Sequence, residues 1–284
     1  MVIYGRTDLA SEAHSLRCSE QAAALPGVSA RQELLEGLEV TAVDILDARG
    51  AELLGKPVGR YYTLQLPDRF ERGAESFPKA ASAIATLLTR ALADVPTDTV
   101  LIAALGNPDI TPDALGSLAA SALLVTRHLK SRSPEAFSAF ASTALCRTGV
   151  LGTTGVESAV QIQTLCRMLR PDCVIAIDAL AGADFSHLCR SVQICNTGIS
   201  PGSGVGNDRE ALNRETLGVP VLAVGVPTVI DASLLSRDPA LASLFVTPRS
   251  IDSDVRAAAR LIAYGVNLAL HRGLTVADID QLVG

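Results

Sequence analysis

The chain has 284 residues, of which 48% are hydrophobic, 4% are aromatic and none is Trp. That composition suits one large α/β domain or two small ones, with a core of Ala, Val, Leu and Ile built from helices on a parallel sheet. The formal net charge of −6 argues against a nucleic-acid binder held by phosphate neutralisation. Six cysteines without a C-x-x-C pair, and no His at zinc-finger spacing, read as reduced thiols of a cytoplasmic protein in preference to disulfides or metal ligands. The first residues, M-V-I-Y-G-R-T-D-L-A, lack the apolar core of a signal peptide, and no uninterrupted apolar run reaches membrane-spanning length.

In chain order, residues 11–24 have a helical pattern. Residues 39–47, E-V-T-A-V-D-I-L-D, and 60–66, R-Y-Y-T-L-Q-L, alternate apolar and polar, which predicts an antiparallel strand pair about a turn at 48–51. Residues 75–94 predict a helix. From residue 98 the strands become uniformly apolar: 98–105, a weaker 143–150, C-V-I-A-I-D at 173–178, 191–196 and 219–225. Helices are expected at 113–130, 155–169, shortly after 178, 252–271 and 275–283. Strands alternating with helices imply an α/β fold, a mostly parallel sheet sandwiched by helices, in a single domain over 1–284. Its parts are an N-terminal extension and strand pair (about 1–70), a parallel core (98–231) and C-terminal helices (252–284).

Ligands of open α/β sheets bind beyond the carboxyl ends of the strands. Polar, Gly-rich sequence follows every apolar strand: G-N-P-D-I-T-P-D-A-L-G (106–116), G-T-T-G-V-E-S (152–158), Asp178, N-T-G-I-S-P-G-S-G-V-G-N-D (196–208) and V-P-T-V-I-D (226–231). Candidate substrate-binding or supporting residues are therefore Asn107, Thr154, Glu157, Asn196, Ser203, Gly204, Asn207 and Asp231. Asp113 falls in the first turn of an expected helix, where a carboxylate serves the helix dipole; that structural role stands beside a catalytic one. Asp178 sits at the tip of a buried strand, where no dipole calls for it. Two carboxyls sharing a site drive their pKa values apart and can act as acid and base on water. G-S-G-V-G lacks dinucleotide spacing, and Ser203 lacks the setting of a nucleophile elbow. A backbone N–H nest fits that loop better. His128 lies too far along the expected 113–130 helix to pair with Asp113.

Taken together, these motifs resemble the germination protease family of spore-forming bacteria. The resemblance runs through R-T-D-L-A (6–10), G-K-P-V-G-R-Y (55–61), L-G-N, T-P-D-A-L-G, L-V-T-R-H-L (124–129), G-T-T-G-V-E, I-A-I-D-A-L-A, T-G-I-S-P-G-S-G-V-G-N, E-T-L-G-V-P-V and G-V-P-T-V-I-D-A. It implies a metal- and cofactor-independent endopeptidase that degrades small acid-soluble spore proteins in the germinating spore. It places two essential aspartates at Asp113 and Asp178. It also implies a fold similar to the hydrogenase-maturation proteases, a tetramer, and synthesis as a zymogen. The chain departs from the family pattern in several places. Five residues precede Arg6, so a pro-segment is expected to be very short or missing. Only Ser233 to Phe245 stand where the family has a long insertion before V-T-P (246–248). Asn196 replaces an Asp, and G-A-D (182–184) replaces A-R. Two alternatives follow: a metal-dependent maturation-type peptidase of the same fold, and a non-catalytic binding or assembly relative.

Overall fold

The computed structural model describes residues 7–20, 25–206, 209–235, 239–241 and 244–283. In chain order the elements are α1 (Ala10–Glu20), β1 (Val28–Leu35), β2 (Leu38–Ile45), α2 (Ala48–Leu54), β3 (Gly59–Gln65), α3 (Phe77–Ala91), β4 (Thr99–Ala104), α4 (Leu115–Ala119), α5 (Arg127–Arg132), β5 (Ser142–Arg147), α6 (Leu151–Thr154), α7 (Ser158–Leu169), β6 (Cys173–Gly182), β7 (Ser191–Cys195), α8 (Arg214–Leu217), β8 (Val221–Asp231), β9 (Phe245–Val246), α9 (Ile251–Leu270) and α10 (Val276–Val283).

All strands join one mixed sheet in the order β1-β2-β3-β7-β8-β6-β4-β5, with β9 on the far end of β8. The apolar runs form the parallel block β8-β6-β4-β5. The N-terminal pair is antiparallel in the expected way, with Val40 opposite Leu64 and Ile45 opposite Gly59. The antiparallel part is larger than expected. β1, polar and mostly exposed, adds an edge, and β7 enters between β3 and β8 antiparallel to both. Helices cover both faces. α3, α4 and α9 close over Val40, Leu64, Ile102, Ile175, Ile177 and Val224. α7 and α8 cover Leu101, Val174, Ala176 and Val221, and α1 and α2 cover Val43, Ile45, Tyr61 and Ala223. Successive residues of β6 thus face opposite layers, as strand geometry requires. Gly265 lets α9 press against α3, since a Cβ there would meet Ile84 at 2.4 Å. Phe77 and Tyr264 seal that contact edge to face, centroids 5.1 Å apart, a geometry worth about 1 kcal/mol.

Several expectations are corrected. The turn at 48–51 is the helix α2: the Asp47 side chain accepts the N–H of Arg49 and Gly50, and Gly55 ends it at φ 64°. The helix expected over 113–130 is broken into short pieces, because 123–126 is pulled out of helical geometry. Buried Asn267 accepts the Leu124 N–H at 3.0 Å and donates to Ala122 C=O at 2.8 Å. Thr126 bonds Ala141 and Thr143 as well. These tertiary hydrogen bonds outcompete the helical ones. β6 and β8 do not stop at 178 and 225; they continue to Gly182 and Asp231, paired to each other through a register shift after Leu180. The short helix expected after 178 is therefore strand, followed by turns at 185–190. All six cysteines are free thiols, and burial pushes Cys173 and Cys189 each up to about 12. No helix among the described residues is long and apolar enough to cross a membrane.

Candidate active site

Asp178 lies on the same β6 face as Val174 and Ala176, which pack in the α7 layer. It is 4% exposed, and its Oδ1 accepts the N–H of Ala179 at 2.9 Å. A carboxylate this deep loses most of its hydration, so burial raises its pKa well above the ordinary value. The charge of Asp113 adds to that, and Asp8 more weakly. The Ala179 N–H and the Arg209 guanidinium oppose the shift without cancelling it.

Asp113 ends a 3-10 turn, Thr111–Asp113, ahead of α4. It does not cap that helix: the N-cap of α4 is Ala114, and no side chain caps it. Instead Oδ2 accepts the N–H of Asn107 at 2.9 Å. Burial raises its pKa as well, less strongly, with the Asn107 N–H and Arg209 pulling it down. The T-P-D-A-L-G spacing has a packing cause. Gly116 sits over the carboxyl end of β4 and the middle of β6, where a Cβ would lie 2.4 Å from Leu105 O and 2.5 Å from Ile177 O. Gly106, at φ 92°, lets the chain pass against Asp113, where a Cβ would lie 1.9 Å from its carbonyl. Thr228 Oγ1 donates to Pro112 C=O at 2.7 Å. The turn carrying Asp113 is thus clamped between β4, β6 and β8, facing Asp178.

Both carboxyls open into a cavity of about 460 Å³ lined also by Asp8, Ile110, Val150, Gly204, Arg209 and Phe245. Asp8 is a third carboxylate that periodicity gives no means to find; only its place in R-T-D-L-A marks it. It accepts the Ala181 N–H at 2.8 Å and the Ser203 hydroxyl at 3.1 Å. Arg209, which lines the cavity and whose charge acts on both carboxyls, carries no sequence signal beyond the loop it ends.

The other expected residues divide. Asn107 is buried behind Asp113 and holds it. Gly204 lines the cavity, and Ser203 reaches it through Asp8. That loop arrives by another route than expected. β7 runs against β8, so its carboxyl end lies at the opposite edge of the sheet, and 196–206 folds back across the face, paired at Ile199 and Leu212. Asn196 stays at that opposite edge, where it accepts the Arg60 N–H at 2.9 Å. Thr154 is exposed and bonds within its own turn, to Val150 and Val156; Glu157 precedes α7 without capping it. Neither lines the cavity, which takes Gly149, Val150 and Ser158 from that segment. Asp231 caps the turn after β8 by accepting the Ser233 N–H at 2.8 Å, also outside the cavity. Asn207 lies outside the described residues. His128 is exposed on α5, away from the cavity. Among the described residues, no group of three or more His, Cys, Asp or Glu is disposed to hold a metal ion.

A family model described as germination protease matches residues 6–241. This chain belongs to the germination protease family. The germination protease of Caldanaerobacter subterraneus subsp. tengcongensis is 39% identical over 320 aligned positions that cover 98% of each chain. That of Clostridium perfringens is 34% identical over 321 positions with the same coverage. The Bacillus cereus germination protease is 41% identical over 240 positions, covering 82% of this chain and 65% of the relative. The family match takes in the Asp8, Asp113 and Asp178 segments together, three of those that line the cavity.

Proposed function

We propose that the chain is an endopeptidase in which Asp113 and Asp178 together activate water against a peptide carbonyl. The observation that carries this reading is that Asp113 and Asp178 open into one cavity, where burial raises both carboxyls and the charge of Asp113 raises Asp178 further. Asp178, the more buried and the one raised by its partner's charge, holds the proton. Asp113, closer to balance between burial and its N–H donor, is the ionised member. The pair titrates as a unit. In the reaction, Asp113 takes a proton from water as the oxygen attacks the scissile carbon. Asp178 gives its proton to the carbonyl oxygen, which forms a neutral tetrahedral diol. The diol returns a proton to Asp178, the C–N bond breaks, and Asp113 protonates the departing amine. Arg209, whose charge lowers both carboxyls, stabilises the single negative charge as it passes from Asp113 to Asp178.

The substrates on this reading are small acid-soluble spore proteins, cut in the spore core at germination, in keeping with the family's name and the motif resemblance. A hydrogenase-maturation-protease-like fold, tetramer formation and a zymogen stage belong to the same reading. The test is incubation with a purified small acid-soluble spore protein, followed by mass mapping of the products. Discrete fragments from the wild-type chain and none from Asp113→Asn or Asp178→Asn support the reading. An intact substrate bound tightly by the wild-type chain would instead favour a non-catalytic relative.

A further inference from the structure

The ladder of β4 on β6 ends with Ala104 opposite Ile177, and Leu105 adds one last bond, donating to Ile177 C=O at 2.9 Å. β6 runs on to Gly182, so beyond Ile177 no strand covers its β4-facing edge. In a parallel ladder every second residue turns its N–H and C=O to the same neighbour. Ile177 turns toward β4, and Ala179 and Ala181 follow. Ala181 is satisfied by a single residue: Asp8 donates its N–H to Ala181 C=O at 2.9 Å, and Asp8 Oδ2 accepts the Ala181 N–H at 2.8 Å. Asp8 thus supplies both bonds that a neighbouring strand would make, and closes the edge.

Ala179 lies between these two stops. Its side chain packs on the opposite core, its N–H is held by Asp178 Oδ1, and its C=O turns to the cavity. The open stretch from Ile177 to Ala181 is about 13 Å long at strand rise. It forms the wall of the cavity that holds both catalytic aspartates. An open strand edge is a template for an extended chain. Ile110 and Phe245, 53% and 42% exposed, flank it with apolar surface, which fits a polypeptide with side chains to place.

Resting on the protease reading above, we propose that Ala179 is the main-chain docking point for the protein substrate. An extended segment lies along β6 in the track that β4 vacates, one of its C=O groups accepting the Ala179 N–H and one of its N–H groups donating to Ala179 C=O. The arriving carbonyl displaces Asp178 Oδ1 from Ala179, so docking frees that carboxyl for the reaction.

The test is a set of synthetic peptides from a small acid-soluble spore protein, each with one backbone N-methyl group. They are read by cleavage with the wild-type chain and by binding to Asp113→Asn. One position, outside the scissile amide, is expected to lose about fivefold or more in affinity, the scale of one main-chain hydrogen bond, while its immediate neighbours, facing away, tolerate the methyl group. Cleavage with every N-methyl position tolerated overturns the docking point and leaves the protease reading standing. Binding with one sensitive position but no cleavage supports the docking point and removes the protease reading. Neither binding nor cleavage overturns both.

Discussion

Gly116 of α4 rests on the hydrogen bond that joins Leu105 to Ile177: a Cβ at this position would lie 2.5 Å from both Leu105 N and Ile177 O. Those atoms are backbone and cannot step aside. The contact sets how far the turn bearing Asp113 stands above the sheet. Gly116→Ala is therefore expected to lift α4 and move Asp113 away from Asp178. Overpacking of this kind costs about 1–3 kcal/mol, and activity should fall by tenfold or more, since small misplacements of reacting groups are expensive. Urea denaturation and the cleavage rate measure the two effects; an unchanged rate would show that the height of Asp113 does not matter.

Asp178 is expected to oppose stability at neutral pH. Its folded pKa is raised by burial and by Asp113, so the unfolded chain ionises more readily than the folded one. Below the unfolded carboxyl value the two states bind the proton equally. As pH rises from there toward the folded pKa, stability is lost. Asp178→Asn removes that loss and keeps an oxygen for the Ala179 N–H. The variant should be inactive yet melt higher than wild type at pH 7, with the difference shrinking toward pH 4. A variant less stable than wild type at pH 7 contradicts this.

Asp8 ties the N-terminal segment to β6. Asp8→Ala leaves the buried-side Ala181 N–H and the Ser203 hydroxyl without their carboxylate acceptor. Losing a charged acceptor costs about 1.5–3 kcal/mol. Hydrogen exchange should show faster exchange at Ala181 with little change at Val174 or Ala176. Uniform exchange across β6 would count against a local latch.

The parallel block, the strand pair before it and the two C-terminal helices were legible in the sequence because their apolar periodicity has no competing reading. β1 was not, since an exposed edge strand such as V-S-A-R-Q-E-L-L has no buried face to impose alternation. The broken 113–130 segment was not either, because Asn267, more than a hundred residues away, decides it. Of the site, Asp113, Asp178 and Asn107 were placed at one edge by topology alone; Gly204 reaches it only because 196–206 folds back from the opposite edge. Asn196 was misplaced with the strand before it, whose reversed direction leaves no trace in a short apolar run. Asp178 read as a strand tip because strand and loop are both possible once a charge interrupts an apolar run. β8 alongside it, pairing Asp178 with Gly225, and Asp8 bonded to Ala181 keep the segment extended.

His271 supplies a pH dependence unrelated to the site. It is 1% exposed against Phe140, ring centroids 5.1 Å apart, and burial lowers its pKa to about 4. The folded state refuses a proton that the unfolded state accepts near 6.5. Stability is fully present above pH 6.5 and is lost as pH falls toward 4, by at most about 3 kcal/mol. His271→Leu should flatten the urea midpoint between pH 6.5 and 4; an unchanged slope would assign the acid sensitivity elsewhere.

On the proposed mechanism Asp113 and Asp178 act as one acid–base pair. The most direct measurement is the single-turnover cleavage rate of a small acid-soluble spore protein by wild type, Asp113→Asn, Asp178→Asn and the double variant. Groups that work as a unit are not additive. Each single variant should lose a thousandfold or more, on the scale of removed acid–base catalysis, and the double variant should be no slower than the worse single one. Wild-type rates from either single variant, or losses that multiply in the double variant, would contradict the pair.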